Sequence, residues 1–380
     1  MIDLDLTPKD KELIAEARAQ ALLARRHARD FEYAEDSFLP HEFPEAAGHP
    51  NVRELAACHV EKTSGAKIIH ALLYLEEWYG GVPLREHPYS LGNTVLRIAG
   101  APEQEARWKD KILAIAMTEP GGGSDPASTR TTAVYDPATD EWVLNGDKIF
   151  ITYAGACDAA IVLARAVHPD RKPGLSTFLV ERGTPGFAIS SQFRKLGIRH
   201  EDTAALSFVD CRLPAFNHIA GDLKKTLQSF SESRPVVACY ALGVSRAALD
   251  LAWETLGPEG VAPDYDADSR KLSAAASRLM DLEAEWEATY LTVLRAKWVE
   301  QNDGPGKIEA SMAKALGGRL ARRVTQAVVE LIGPSALRED MLAEKWFRDG
   351  RIFDIYEGTG EIQRLLIARH LLGYSPKELN

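Results

Sequence analysis

Trp142-Val143-Leu144-Asn145-Gly146-Asp147-Lys148-Ile149-Phe150-Ile151-Thr152 is the stretch on which the fold turns. Apolar, β-favouring runs flank Asn-Gly, a pair that supplies the positive φ angles of a type I′ turn, so the segment predicts a β-hairpin. Working outward, residues 160–166, 177–181 and 204–209 read as further strands. Between residues 112 and 214, short β-favouring runs alternate with turn residues, the spacing of a small sandwich or barrel of roughly one hundred residues.

On both sides of this insert the periodicity is helical. Thr7-Pro8-Lys9-Asp10 offers a hydroxyl cap, a proline at the first helical position and an early carboxylate. Good helix formers continue to Arg29. A loop rich in Pro, His and Phe is expected at 39–50, and more helix at 55–77 and 91–113 around Gly80-Gly81. Beyond residue 223, apolar residues recur at helical spacing over 236–256, 272–299, 307–332 and 340–348. The reading is a multi-domain α+β protein: an N-terminal all-α domain (1–112), a middle β-sandwich or barrel domain (113–218) and a C-terminal four-helix bundle (219–380). A length of 380 residues suits such a division.

The 55 acidic against 45 basic residues give a formal charge of −10, which disfavours nucleic-acid binding. Cys58, Cys157, Cys211 and Cys239 show neither disulfide nor metal spacing, so buried thiols and no metal are expected. No run approaches the ~18 apolar residues of a membrane span. The acidic, charged start lacks the layout of a signal peptide, and a cytoplasmic protein is expected.

Three segments carry chemistry. In Met117-Thr118-Glu119-Pro120-Gly121-Gly122-Gly123-Ser124-Asp125, the glycines let backbone N–H groups approach an anionic or planar ligand; a flexible loop entering a strand is the plainer reading. In Phe150-Ile151-Thr152, alternation puts a flat ring and a hydroxyl on one face, suited to a ring system with a polar edge; a core aromatic beside a solvated threonine fits equally. In Tyr356-Glu357-Gly358-Thr359-Gly360-Glu361-Ile362-Gln363-Arg364, a carboxylate in apolar surroundings becomes a usable base if burial raises its pKa. Its alternative is an exposed loop glutamate.

Taken together and in order, Thr-Glu-Pro-x-x-Gly-Ser-Asp, Asn-Gly leading into Lys-x-Phe-Ile-Thr, and Tyr-Glu-Gly-Thr-x-x-Ile-Gln-Arg resemble the acyl-CoA dehydrogenase family over nearly the whole chain. The resemblance implies an enzyme that binds FAD between its β domain and its C-terminal bundle. Thr118 then bonds the flavin edge, Met117 offers backbone contacts, and Gly123 and Ser124 lie near the cofactor. Phe150 lies against the ring, Thr152 near flavin N5, and Thr359 by the pyrophosphate. Glu357 matches the catalytic base, which removes the α-proton of an acyl-CoA thioester while a hydride leaves to the flavin. The Glu357 N–H and a flavin hydroxyl then stabilise the enolate-like oxygen. Ser124, Arg234, Tyr356 and Gly358 form the substrate-binding set. The resemblance puts Arg234 at the start of a bundle helix, and some relatives place their base one residue before it, where this chain has Ser233. Neighbouring Glu232 is turned away by about 100° of helix.

The chain departs from the family pattern in two places. Where homotetrameric members carry Arg-x-x-Phe-Gly, which reaches a neighbour's FAD, this chain has Glu259-Gly260-Val261-Ala262-Pro263. Where Gln-x-x-Gly-Gly-x-Gly is usual, it has Glu330-Leu331-Ile332-Gly333-Pro334-Ser335-Ala336, and Glu361 also replaces a glutamine. Groups used within one chain are kept, while those donated across an interface are lost. The expectation is an oligomer, a tetramer of α2β2 type, in which a homologous partner supplies the missing arginine. Electrons are expected to leave to an electron-transfer flavoprotein or similar acceptor. The rival readings are a flavin oxidase or monooxygenase of the same fold, and a non-catalytic partner subunit.

Overall fold

The computed structural model describes residues 6–30, 32, 46–57, 66–83, 90–220, 223–304, 306–375 and 378–379. Helix α1 (Pro8–Ala24) starts as the sequence predicts. The Thr7 hydroxyl accepts the Asp10 N–H at 3.2 Å, and the Asp10 carboxylate accepts the Thr7 N–H at 2.8 Å, a reciprocal capping box. Helices α2 (Val52–Ala57), α3 (Ala66–Tyr79), α4 (Leu91–Ala99) and α5 (Pro102–Trp108) follow. The helix expected over 91–113 is broken at Gly100, and Pro102 opens a new one. Most of the loop expected at 39–50 lies outside the described residues, as does Cys58.

Eight strands form one sheet: β1 (Leu113–Ala116), β2 (Thr132–Asp136), β3 (Glu141–Thr152), β4 (Ala159–His168), β5 (Arg171–Glu181), β6 (Phe187–Gln192), β7 (Thr203–Pro214) and β8 (His218–Ile219). Their order is β6-β7-β3-β2-β4-β5-β8, with β1 beside β4. The β4 pairings with β1 and β2 are parallel and the others antiparallel. Trp142, Leu144, Val162, Phe178, Leu206 and Phe208 fill the space against the sheet.

The hairpin expected at Asn145-Gly146 does not form there. Strand β3 runs unbroken through both residues, and the turn lies one strand earlier, between the paired Asp136 and Glu141, with Asp140 at φ +57°. Gly146 has φ +145°, and the register with β7 slips between Leu144 and Gly146. A Cβ at Gly146 would stand 2.5 Å from Thr131 Oγ1 and 2.8 Å from Thr131 Cα. Glycine therefore serves a bulge and a close backbone approach, not a turn. A second slip, between Lys148 and Ile151, holds Phe150 at φ +56°.

The C-terminal part holds α6 (Leu223–Leu256), α7 (Ala274–Asn302), α8 (Lys307–Ile332), α9 (Ala343–Asp349) and α10 (Gly360–Leu372). Helix α6 begins well before residue 236, so Arg234 is mid-helix and does not lead it, and Pro235 lies inside. The inward residues of its first turns are Thr226, Ser229 and Ser231. Ser229 Oγ donates to the Thr226 carbonyl at 2.6 Å, so these turns bury hydroxyls and show no apolar stripe. The helical run Lys224–Glu259, α6 together with the 3₁₀ turn that follows it, is long and apolar enough to cross a bilayer, but its most apolar stretch is mostly buried inside the protein. Leu75, Trp78, Leu242, Leu249, Leu320 and Phe353 form the core that α6 organises with α3 and α8. Cys157, Cys211 and Cys239 are free and buried, and burial pushes their thiols up to about 11, 11 and 12.

Candidate active site

The site is built from two clusters. The first is the turn after β1, where Glu119 and Gly122 exchange backbone hydrogen bonds of 3.0 Å. Its anchor is Lys148 of β3, fully buried, whose Nζ donates to the Met117 carbonyl at 3.0 Å and to Glu119 Oε1 at 2.7 Å. Glu119 also accepts the N–H groups of Arg130 (2.8 Å) and Thr131 (3.0 Å) and the Thr131 hydroxyl (2.6 Å). Burial works against the Glu119 charge, but these donors overcome it and hold the carboxyl down at about 2. Burial also lowers Lys148, and Glu119 opposes that shift.

This anchored pair sets the predicted residues around it. The Thr118 carbonyl accepts the Ile149 N–H at 2.9 Å, which joins the glycine turn to the strand carrying Phe150 and Thr152. A Cβ on Gly123 would lie 3.3 Å from Thr118 Oγ1, so the third glycine packs directly on that hydroxyl. Ser124 is exposed. Phe150 is 60% exposed, with its ring 4.9 Å from that of Phe193, and half-buried Thr152 pairs with Thr203.

The second cluster surrounds Glu357. Its backbone is left-handed at φ +55°, followed by Gly358 at +90°, and a non-glycine residue held there is a strain that clusters at functional sites. Gly358 is required: a Cβ would stand 2.6 Å from Gln363 Nε2, which donates to the Gly358 carbonyl at 3.0 Å. Glu357 Oε2 is buried with no hydrogen-bond partner among the described residues. Burial raises this carboxyl, and the Ser233 hydroxyl, Lys314 and Arg234 pull it back. Arg234 is itself lowered by burial and supported by Glu357. Tyr356 lies against the helical core, and its hydroxyl is pushed far up by burial. Thr359 caps α10, its hydroxyl accepting the Ile362 N–H at 3.4 Å. Glu232 is turned away into an ion pair with Arg97 at 2.6 Å.

The β6–β7 connection links the two clusters. Phe193 packs against Phe150 with the rings tilted by 41°, the Ile198 N–H donates to Asp349 Oδ1 at 2.6 Å, and the Glu201 charge acts on Tyr356. Asp349 in turn pairs with buried Lys345 at 2.5 Å, whose Nζ also donates to the Gly81 carbonyl at 3.0 Å.

Sequence reasoning assigns no role to Lys148, Gln363 or Lys314. Lys314 carries a signal that helical periodicity could have revealed. It stands on the small-residue stripe of α8 with Ala310, Gly317 and Ala321, where a lysine is out of place.

Residues 114–211 match the acyl-CoA dehydrogenase middle domain, and residues 223–372 match the acyl-CoA dehydrogenase C-terminal domain. The chain is 38% identical over 283 residues to the short-chain specific acyl-CoA dehydrogenase, mitochondrial, of Homo sapiens, covering 72% of this chain and 67% of that protein. It is 32% identical over 282 residues to the acryloyl-CoA reductase (NADH) of Anaerotignum propionicum, covering 72% and 71%. Among solved structures it is similar to butyryl-CoA dehydrogenase from Megasphaera elsdenii, with TM-score 0.78, 25% identity and coverage of 98% and 100%. A glutaryl-CoA dehydrogenase from Mycobacterium smegmatis in complex with FADH2 shares the fold, with TM-score 0.80 and 23% identity over 97% of this chain and 95% of that one. The order of the two matched domains, the fold and the identity to these relatives agree: this chain belongs to the acyl-CoA dehydrogenase family.

Proposed function

We propose that this chain carries out FAD-dependent α,β-dehydrogenation of an acyl-CoA thioester, with Glu357 as the base. The observation that carries the reading is the Glu357 carboxyl: one oxygen buried without a partner, on a strained backbone, with Arg234 and Lys314 acting on it. An exposed loop glutamate would have none of these features. Burial raises its pKa toward the range useful for a base, while the two cations keep the carboxylate accessible. The same oxygen argues against a merely structural subunit, because an unpartnered buried acceptor costs stability unless it has a use.

The residues present fit FAD. Phe150 leaves a flat face exposed, Thr118 and Thr152 offer hydroxyls near it, and the glycine turn leaves open backbone beside Thr118. Met117, Gly123 and Ser124 complete that side, and Thr359 stands at the N-terminus of α10, where backbone N–H groups favour a phosphate. Bound FAD supplies the acceptor for the hydride. The chain's own part is to orient the thioester between Glu357 and that ring, to exclude water, and to hold the α-proton on the Glu357 carboxyl. Arg234, Tyr356 and Gly358 wall the base side. Electrons then pass to an electron-transfer flavoprotein or similar acceptor.

The subunit arrangement is proposed to be heteromeric. Glu259 lies exposed in the turn Gly257–Glu259, and left-handed Gly260 follows it. Glu330 is held within its own chain by Arg278 at 2.5 Å and Gln326 at 2.9 Å. Neither position offers a cation to a neighbour's pyrophosphate, and a partner of the same fold supplies one. A purified single chain that binds one FAD per subunit as a homotetramer would sink this part.

The test of the activity is Glu357→Gln with flavin retained. Anaerobic mixing with acyl-CoA should show flavin bleaching slowed about 10²–10⁴-fold, the usual worth of a general base. An unchanged bleaching rate overturns the assignment.

A further inference from the structure

We propose that Lys314 is a positioning residue for the base: its buried ammonium is the counter-charge that holds the Glu357 carboxylate oriented and in its proton-accepting form. This rests on Glu357 being the base.

The starting point is an imbalance. Lys314 is fully buried, and its Nζ has no hydrogen-bond partner among the described residues. An isolated buried ammonium is costly, so it survives where another charge compensates it through space. Further buried polar atoms without partners among the described residues belong to the elements around it, among them Glu357 Oε2 and Asp354 Oδ1 on the loop 352–359 (the base loop), Arg234 Nε on α6 and Gln363 Oε1 on α10. Donors and acceptors gather here without pairing off.

The packing of α8 explains why they gather. A Cβ on Gly317 would lie 2.9 Å from Ala238 Cα of α6, and one on Gly318 would lie 2.7 Å from the Phe353 carbonyl and 2.8 Å from Asp354 Cα. Helix α8 is therefore pressed against α6 and the base loop at one level. Lys314 lies one turn before Gly318, as Arg234 lies one turn before Ala238, so the buried lysine stands on the face of α8 that meets α6 and the loop.

The charges on every packed element agree. From the base loop, Glu357 is the carboxylate that supports Lys314 most strongly, and Asp354 follows. Asp354 has a second cation, Arg322, at 3.7 Å, whereas among the described residues the cations acting on Glu357 are Lys314 and Arg234. From α6, Arg234 opposes the lysine, and from α10 Glu361 supports it weakly, being paired to Arg364 at 2.8 Å. Burial outweighs these supports and brings the ammonium down to about 8. Tyr356 is too far raised to ionise near neutrality. Removing the lysine removes a positive charge that lowers the Glu357 pKa, so the base would need a higher pH to be anionic.

The experiment uses the flavin-loaded protein with Lys314→Met and Lys314→Arg. Two titrations are recorded: the acid limb of flavin-reduction rate against pH, and the Glu357 carboxyl band by difference infrared spectroscopy with Glu357→Gln as the blank. Lys314→Met should move both midpoints up by about one pH unit or more. Below the limb this is roughly a tenfold loss of rate, with KM for acyl-CoA little altered, and Lys314→Arg should restore the midpoints. Lys314→Gln, neutral and nearly as long, takes the place of Lys314→Met if that variant loses its flavin. Midpoints that stay within a few tenths of a unit in a folded, neutral variant overturn the proposal. If Glu357→Gln keeps full activity, the base assignment has failed, and the infrared titration still decides whether Lys314 governs that carboxyl.

Discussion

Lys148 and Lys314 are equally buried, in the sheet domain and in the helical bundle, and their surroundings differ in kind. Around Lys148 the polar atoms are matched: the ammonium has Met117 and Glu119, and Glu119 has three further donors. Lys345 and Asp349 are matched in the same way. Around Lys314 the ammonium, Glu357, Asp354, Arg234 and Gln363 each leave an atom without a partner. A scaffold pairs its buried charges, whereas a site that must exchange a proton keeps one carboxylate uncommitted. The contrast separates the two kinds of lysine where burial alone cannot.

The sharpest way to break the comparison is to make one substitution in both places. Lys148→Met leaves the buried Glu119 carboxylate with its three other donors but without its counter-charge and should cost about 3–5 kcal/mol, read by urea unfolding. Lys314→Met removes an ammonium that no described residue hydrogen-bonds, and should cost the fold less than about 1 kcal/mol, or stabilise it, although on the proposed function it damages the reaction. Equal losses at both positions would erase the distinction.

A smaller effect concerns acid. Glu119 is depressed from its ordinary 4.5 to about 2, so its contribution to stability is complete above pH 4.5 and drains away as the pH falls towards 2. Glu357 is raised, so it contributes in the opposite sense: its charged form weighs against folding above its ordinary range. Acid titration of stability should therefore be less steep in Glu119→Gln and nearly unchanged in Glu357→Gln. The smallest effect lies away from both clusters. Thr7→Ala removes the cap of α1 and should cost about 1 kcal/mol with unchanged activity, measured by thermal unfolding beside a rate assay.

Much of this was legible in the residues themselves. Helix α8 occupies the stretch its periodicity marks, 307–332, and Thr7 caps α1 as its spacing implies. Other features depend on groups distant in sequence. Asn145-Gly146 has the composition of a turn, yet Thr131, just before β2, sits against Gly146, where the strand bulges. The first turns of α6 were hidden because their inward positions are the hydroxyl residues Thr226, Ser229 and Ser231 and not apolar ones. Glu357 could be singled out by motif, but its unpartnered oxygen and the lysine acting on it come from packing between α6, α8 and the base loop. Periodicity reports which face of a helix is covered, not what covers it.

Under the proposed function, the left-handed backbone at Glu357 has a further consequence for the range of acyl groups accepted. That conformational well is small and is walled off by steric clashes from the broad basins on the other side of φ = 0. The carboxylate can swing about its side-chain bonds, but its main-chain anchor cannot drift to follow a bulkier or slimmer thioester. Adaptation to new acyl chains must then come from reshaping the lining opposite, with the proton acceptor as the fixed point.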